Sequence, residues 1–244
     1  MLISVITPTF NSANHIKKNI DSLNDQIKDF EQIFIDNFSS DLTLDIIKKI
    51  AEYPYSIIRE KDNGIYDAMK KGINIANGNY ILFLNSDDWL PKNTFEIIKK
   101  EIENNPNVDI FYGNTIHYKC NDIKFFQKSD INKIFKTNSL SHQAMYYSKK
   151  IFEEYKFDNK YSVAADYDLN IKLSKDYYKF FYIDKVLSNN LMGGYSSNLL
   201  NSFKDFFQIQ KKHNGILKAI IFTFIEYKFQ IFKLIFKKIY EKKN

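Results

Sequence analysis

A single cysteine, Cys120, is the only thiol in the chain. That excludes an intrachain disulfide and a cysteine-built zinc site, and it fits a reducing compartment. Glycine is scarce, at 7 of 244 residues. No GxGxxG turn follows the first apolar run and no GxxxxGK(S/T) loop occurs anywhere. A dinucleotide oxidoreductase and a P-loop ATPase are therefore disfavoured, and any bound phosphates must be held by a metal ion. No uncharged apolar run approaches the roughly 18 residues that a membrane span needs. Leu2–Ile6 lacks a basic leader and runs directly into what reads as a core strand. The expected location is the cytoplasm.

Hydrophobic residues make up 44% and charged residues 26% of the chain, ordinary for one substantial domain with an appendage. The net charge of +6 is unevenly placed: residues 201–244 hold ten lysines against three acids, and the rest is nearly balanced. Such asymmetry hints at an anionic surface rather than at a fold.

Residues 2–7 read as a buried strand that Pro8 ends, and Ile16, Ile20 and Leu23 recur at helical spacing. Gln32–Asp36 is a second strand, before a polar turn and a helix through Ile46, Ile47 and Ile50. Tyr55–Arg59 is a third strand, and the helix Ile65–Ala76 stops at Asn77-Gly78. Tyr80–Leu84 is a fourth strand, and Thr94–Glu103 the next helix. This alternation predicts an α/β fold with a mainly parallel central sheet covered on both faces. Ligands of such sheets bind beyond the carboxyl ends of the strands. Thr7-Pro8-Thr9, Asp36, Asp62 and Asp87-Asp88 fall at those ends. After Pro106 the pattern changes to strands at 108–112, 123–126, 144–147 and 180–183, with a helix over 166–174.

Asp87-Asp88 is the sharpest local feature. Adjacent carboxylates repel unless a cation joins them, and oxygen ligands suit Mg²⁺ or Mn²⁺. A helix cap is the plain alternative for Asp87. Asp166 and Asp168 could likewise belong to a helix's first turn; two residues apart, they point in different directions. Trp89 reads first as packing beneath the loop and second as a sugar-stacking surface. Lys70 and Lys71 read as a solvated helix face, with an approach to a diphosphate as the alternative, and Arg59 lies near the same strand ends.

Several runs together carry a resemblance. Ser4-Val5-Ile6-Thr7-Pro8-Thr9-Phe10-Asn11, Ile35 to Thr43, Asp62 to Gly72 and Phe83-Leu84-Asn85-Ser86-Asp87-Asp88 resemble successive motifs of family 2 glycosyltransferases. Ser141-His142-Gln143-Ala144 and Ala165 to Leu169 are similar to acceptor-side motifs of the bacterial surface-polysaccharide branch. The likeness covers roughly residues 2–190 in order. Asn85-Ser86 before the aspartates, Ala165 in place of the usual Glu and the bulky Phe38 depart from it.

The resemblance implies a GT-A fold, Rossmann-like, over 1–200, with a basic amphipathic helical tail over 201–244. It implies that Thr7, Pro8 and Thr9 line the nucleotide pocket, that Asp36 bonds the base (uracil), and that Asp62 lies beside it. Asp87 would contact ribose or metal, and Asp88 would be the main ligand of Mn²⁺ or Mg²⁺. Asp166 would be the general base, Asp168 its structural partner, and His142 a neighbour of the donor sugar or phosphates. The implied reaction is inverting transfer of a sugar from a UDP-sugar to a glycan or lipid-linked acceptor in polysaccharide or lipopolysaccharide biosynthesis. The rivals are a nucleotidyltransferase acting on sugar phosphates and a non-catalytic sugar-nucleotide-binding protein.

Ile216 to Tyr240 reads as one helix, with Thr223, Glu226, Gln230, Lys233 and Lys237 on a narrow polar face. A helix this apolar must bury its broad face. The candidates are the inner-membrane surface, its own domain or a second copy of the chain. The apolar face is too wide for nucleic acid.

Overall fold

Burial along the first strands sets the layers. β1 (Ile3–Thr9), β2 (Phe30–Asp36) and β4 (Tyr80–Phe83) are buried almost throughout, as strands covered on both faces are. Successive side chains point to opposite faces. Ile6, Ile33, Ile35, Ile81 and Phe83 therefore enter one core, while Ile3, Val5, Phe30, Phe34 and Leu82 enter another. α1 (Ile16–Asn24), α2 (Thr43–Ile50) and α4 (Thr94–Asn104) close the second core with Ile16, Ile20, Leu23, Ile47, Phe95 and Ile98. α3 (Ile65–Ile75) and α6 (Ala165–Lys175) close the first with Tyr66, Met69, Tyr167 and Leu169. A β-carbon on Gly72 would collide with Ile6, so this glycine is what lets α3 lie directly on β1.

The computed structural model describes residues 2–119, 123–193 and 199–241; the reading of Cys120 lies outside the described residues. β3 (Tyr55–Arg59), β5 (Ile110–Lys119), β6 (Ile123–Gln127), β7 (Met145–Ser148) and β8 (Phe180–Leu191) complete one sheet in the order β3-β2-β1-β4-β7-β5-β6, with β8 on β5. β1 to β4 pair in parallel; β7 joins β4 and β5 in antiparallel fashion. β6 runs antiparallel to β5, and β8 parallel to it. The α/β expectation holds, with a mixed sheet around a parallel core. α5 (Ile151–Glu154) is one short turn after β7.

Two boundaries differ from expectation. Pro8 does not end β1, which continues to Thr9 beside Asp36. The carbonyl of Thr9 faces β2, accepting from the Asn37 N–H. Its neighbour Pro8 thus faces the β4 side, where β4 has already stopped at Phe83 and no partner needs its missing N–H. β8 runs eight residues beyond the expected Ile183, to Leu191; polar Ser188, Asn189 and Asn190 disguise it.

The boundary expected at residue 200 falls at the head of α7 (Leu199–Asn214), whose Phe206 and Ile209 are core residues. α8 (Ile216–Glu241) follows Gly215, whose φ is 82°. Thr223 on the supposed polar face is buried, and Phe222 and Tyr227 pack on the domain. Ile216, Leu217, Ile220, Ile221, Phe224 and Ile225 are exposed. Thr223 of the narrow polar side thus turns inward together with Ala219, Phe222 and Tyr227, while a broad apolar side of the helix's first half faces out. The side chains of Gln230, Lys233 and Lys237 lie outside the described residues. Among the described residues no helix is long and apolar enough to cross a membrane.

Candidate functional site

Hydrogen bonds tie the four strand-end loops into one rim. Asn11 joins the β1 loop to the β2 loop, its amide N–H donating to Ser39 Oγ and its side-chain oxygen accepting from the Ser40 N–H. Ser12 and Ser86 hydroxyls meet at 2.8 Å, linking the β1 and β4 loops. The Asp62 N–H donates to Asn37, which brings in the loop after β3. The strand-end residues therefore share one edge of the sheet, with differences in depth. Thr7 is buried beneath the rim, its hydroxyl accepting from Gln32, and does not line it. Pro8 is partly exposed. Thr9 is buried with its hydroxyl 3.3 Å from Asp36.

Asp36 is fully buried. Its carboxylate accepts from the Ser39 N–H at 3.0 Å and the Ser39 hydroxyl, and it lies 3.6 Å from Arg59. Arg59, the only arginine in the sequence, also donates to the Ser39 carbonyl and sits over the Phe38 ring. Phe38 takes a φ of 54°, a left-handed turn that places its bulky ring outward, half exposed. Phe10 on the neighbouring loop is exposed as well. Asp62 accepts from the Gly64 N–H at 2.9 Å; burial, with Asp67 and Asp36 nearby, raises its carboxyl above the usual range.

The β4 loop holds a buried, strongly perturbed acid. Asp88 is 2% exposed. One carboxylate oxygen accepts from the Leu191 N–H at 3.0 Å, the other from Asn85 at 3.1 Å and Gln143 at 2.9 Å. Burial and the adjacent Asp87 still push its carboxyl up to about 7, against the pull of those donors and of His142. Burial raises Asp87 too. Trp89 is bridged to Asn189 of β8 by two backbone bonds, tilts against Tyr118 and lies under the Lys18 ammonium. Its observed part is to pin the acidic loop to β8.

The residues from Ser141 join this loop to α6. His142–Ala144 forms a tight 3₁₀ turn before β7, where a strand beginning at Ala144 was expected. Two successive side chains of this turn reach two carboxylates: Gln143 donates to Asp88, and His142 Nδ1 meets Asp166 at 2.8 Å. The other Asp166 oxygen accepts from the Tyr66 hydroxyl at 2.6 Å. Burial would raise the Asp166 carboxyl, but His142 and Tyr66 hold it below the usual carboxylate range. Asp168 points away, ion-paired with Lys172 and Lys212 and hydrogen-bonded to His213. Lys70 and Lys71 pair with Asp67, and Lys71 also pairs with Glu60 and donates to the Lys61 carbonyl in the loop after β3.

Sequence reading missed Tyr66, Gln143, Asn85 and the Leu191 N–H as site groups. Tyr66 and Gln143 lay inside quoted motifs; nothing local could flag Leu191, 103 residues from Asp88.

Asp88 and Asp87 fit a divalent ion. They are oxygen donors whose burial disfavours their charge without a cation, and Asn85 Oδ1 beside them is buried with no partner. Among the described residues no three His, Cys, Asp or Glu gather to hold a metal alone. Such an ion would share its coordination with ligand phosphates.

The sequence matches the family model described as Glycosyl transferase family 2 over residues 4–206. It is 30% identical over 209 residues to a PGL/p-HBAD biosynthesis glycosyltransferase of Mycobacterium bovis, covering 82% of this chain and 81% of the relative. The fold is similar to that of S. aureus TarS in complex with UDP-GlcNAc, with a TM-score of 0.69 and 21% identity over 86% of this chain and 64% of that one. It is also similar to a Pyrobaculum calidifontis mannosyltransferase in complex with GDP-Man and Mn2+, with a TM-score of 0.69 and 17% identity over 91% and 69% of the two chains.

Proposed function

The chain belongs to glycosyl transferase family 2, and from that premise we propose that it moves a sugar from a UDP-sugar to a hydroxyl of a glycan or lipid-linked acceptor, with inversion, in bacterial surface-polysaccharide synthesis. The observation that carries this reading is the turn whose Gln143 holds Asp88 while His142 holds Asp166. It sets a phosphate-side acid loop and a proton-accepting pair beside each other. Transfer needs both, one for the leaving group and one for the incoming hydroxyl.

On the nucleotide side, Phe10, Phe38 and Pro8 offer the surface for a base, with Thr9 buried behind them against Asp36, and with Asp62 beside it. Asp36 acts through the Phe38-Ser39 turn it holds. Asp88, with Asp87, would hold Mn²⁺ or Mg²⁺, which when bound offsets charge on the departing diphosphate. The acceptor hydroxyl attacks the anomeric carbon opposite the diphosphate and gives its proton to the Asp166–His142 pair. One such displacement inverts that carbon, so an α-linked donor yields a β-linkage.

A panel of nucleotide sugars with candidate acceptors tests the reading. Cation-dependent release of UDP is expected from one donor; release of pyrophosphate would point to the nucleotidyltransferase alternative. Binding of UDP with no turnover of any donor and acceptor would point to a non-catalytic binder.

The outward apolar side of α8 supports a peripheral membrane location, with the lysine-rich tail drawn to anionic lipid. The full chain is expected to sediment with phosphatidylglycerol vesicles and to be released by salt. Replacing Leu217, Ile220 and Phe224 together with serine should abolish sedimentation while leaving the melting temperature unchanged. A concentration-dependent dimer without lipid binding would assign the face to a second copy.

A further inference from the structure

Resting on the transferase reading, we infer that His142 Nε2 is the atom that takes the acceptor's proton, and that Asp166 and Tyr66 position it.

Asp166 sets the tautomer of His142. An ionised carboxylate only accepts hydrogen bonds. One of its oxygens takes the Tyr66 hydroxyl at 2.6 Å, and the other faces His142 Nδ1 at 2.8 Å. Nδ1 must therefore carry the hydrogen. In a neutral imidazole the lone pair is then on Nε2. Nε2 is buried and has no hydrogen-bond partner, although buried polar atoms are nearly always paired. An oriented, desolvated lone pair backed by a carboxylate is the arrangement of a general base. Asp166 is less suited to the task, because both of its bonds favour the charged form and make it a weak base. His142 is placed by its neighbours: Gln143 fixes the turn to Asp88, and Ser141 Oγ donates to Gln143 while accepting from Asn190.

In the step, the acceptor oxygen forms its bond to the anomeric carbon as its O–H proton passes to Nε2. The anomeric C–O bond breaks, and its electron pair leaves on the nucleoside diphosphate. The imidazolium is balanced by Asp166 and later gives its proton to solvent. Atoms and charge balance without a further reactant.

The test has two arms. Imidazole ¹⁵N spectra of the intact protein should show the Nδ1–H form in the wild type and a tautomer mixture in D166N. For transfer, H142A and the bulkier H142Q should each lose about 10³-fold in kcat. UDP–Mn²⁺ affinity and donor KM should be unchanged, and added imidazole should restore part of the H142A turnover. D166N should lose kcat at constant KM, with the H142A/D166N double variant no worse than H142A. Transfer retained within a few-fold in both His142 variants would overturn the assignment in favour of Asp166. Loss of UDP–Mn²⁺ binding in step with turnover would also overturn it, making Nε2 a ligand of the ion or phosphates. An Nε2–H tautomer in the wild type would do the same. A wild-type protein that transfers no sugar at all strikes the transferase reading instead, and the spectra still decide the tautomer.

Discussion

Asp88→Asn is expected to cut sugar transfer by about 10³-fold, the rate equivalent of losing several kcal/mol of leaving-group stabilisation. Cation-dependent UDP binding should weaken with it, because a neutral amide is a poor partner for Mg²⁺ or Mn²⁺. The structure also gives the expected pH behaviour. Burial and Asp87 push the Asp88 carboxyl up to about 7. A group raised in the fold burdens the empty protein as pH climbs from the ordinary carboxylate range toward 7. Loading the ion displaces the proton, so calorimetric affinity for Mn²⁺ with UDP should rise between about pH 6 and 8 and flatten above. Asp88→Asn should lose that pH dependence. Full transfer by the variant, or affinity independent of pH in the wild type, would remove Asp88 from the ion's coordination.

The strand ends were legible in the sequence because each ends an apolar run at a polar residue, and parallel strands all deliver those ends to one edge. Thr9, Asp36, Asp62 and Asp88 all follow that pattern. Depth was not legible: Thr7 and Asp36 occupy the same pattern as Asp62 but are fully covered, a matter of which neighbours close over them. The clamp on Asp88 was invisible for another reason. Gln143 approaches from the turn before β7 and the Leu191 N–H from the end of β8, on the far side of β4, where pairing turns antiparallel and β8 reads as polar loop. The same limit hid the direction of α8. Periodicity shows that a helix has two faces, but only packing shows that Thr223 turns in and Leu217 out.

The second large effect is on stability, from a carboxylate two residues along from Asp166. α6 carries Asp166 toward the site and Asp168 toward α7, where Lys172 approaches at 2.7 Å, Lys212 at 3.0 Å and His213 at 2.7 Å. Asp205 of α7 completes the attachment by accepting from the Ser162 and Val163 N–H groups ahead of α6. Removing one partner of a buried ion cluster costs about 3–5 kcal/mol. The two lysines are partly solvated, so Asp168→Ala is expected near the lower end, about 3 kcal/mol, a melting temperature lower by about 6–12 °C. Burial opposes the charge of Asp168, but His213, Lys172 and Lys212 outweigh it and hold the carboxyl well below its usual range. A depressed acid contributes stability that is full above its unfolded pKa of about 3.9 and is lost as pH falls through the folded value. The gap between wild type and variant should therefore be constant near neutral pH and close below about pH 4. At low temperature the variant should still transfer sugar, because the loss falls on the helix's mooring and not on the imidazole. Unchanged melting with lost turnover would reverse that assignment and place Asp168 in the reaction itself.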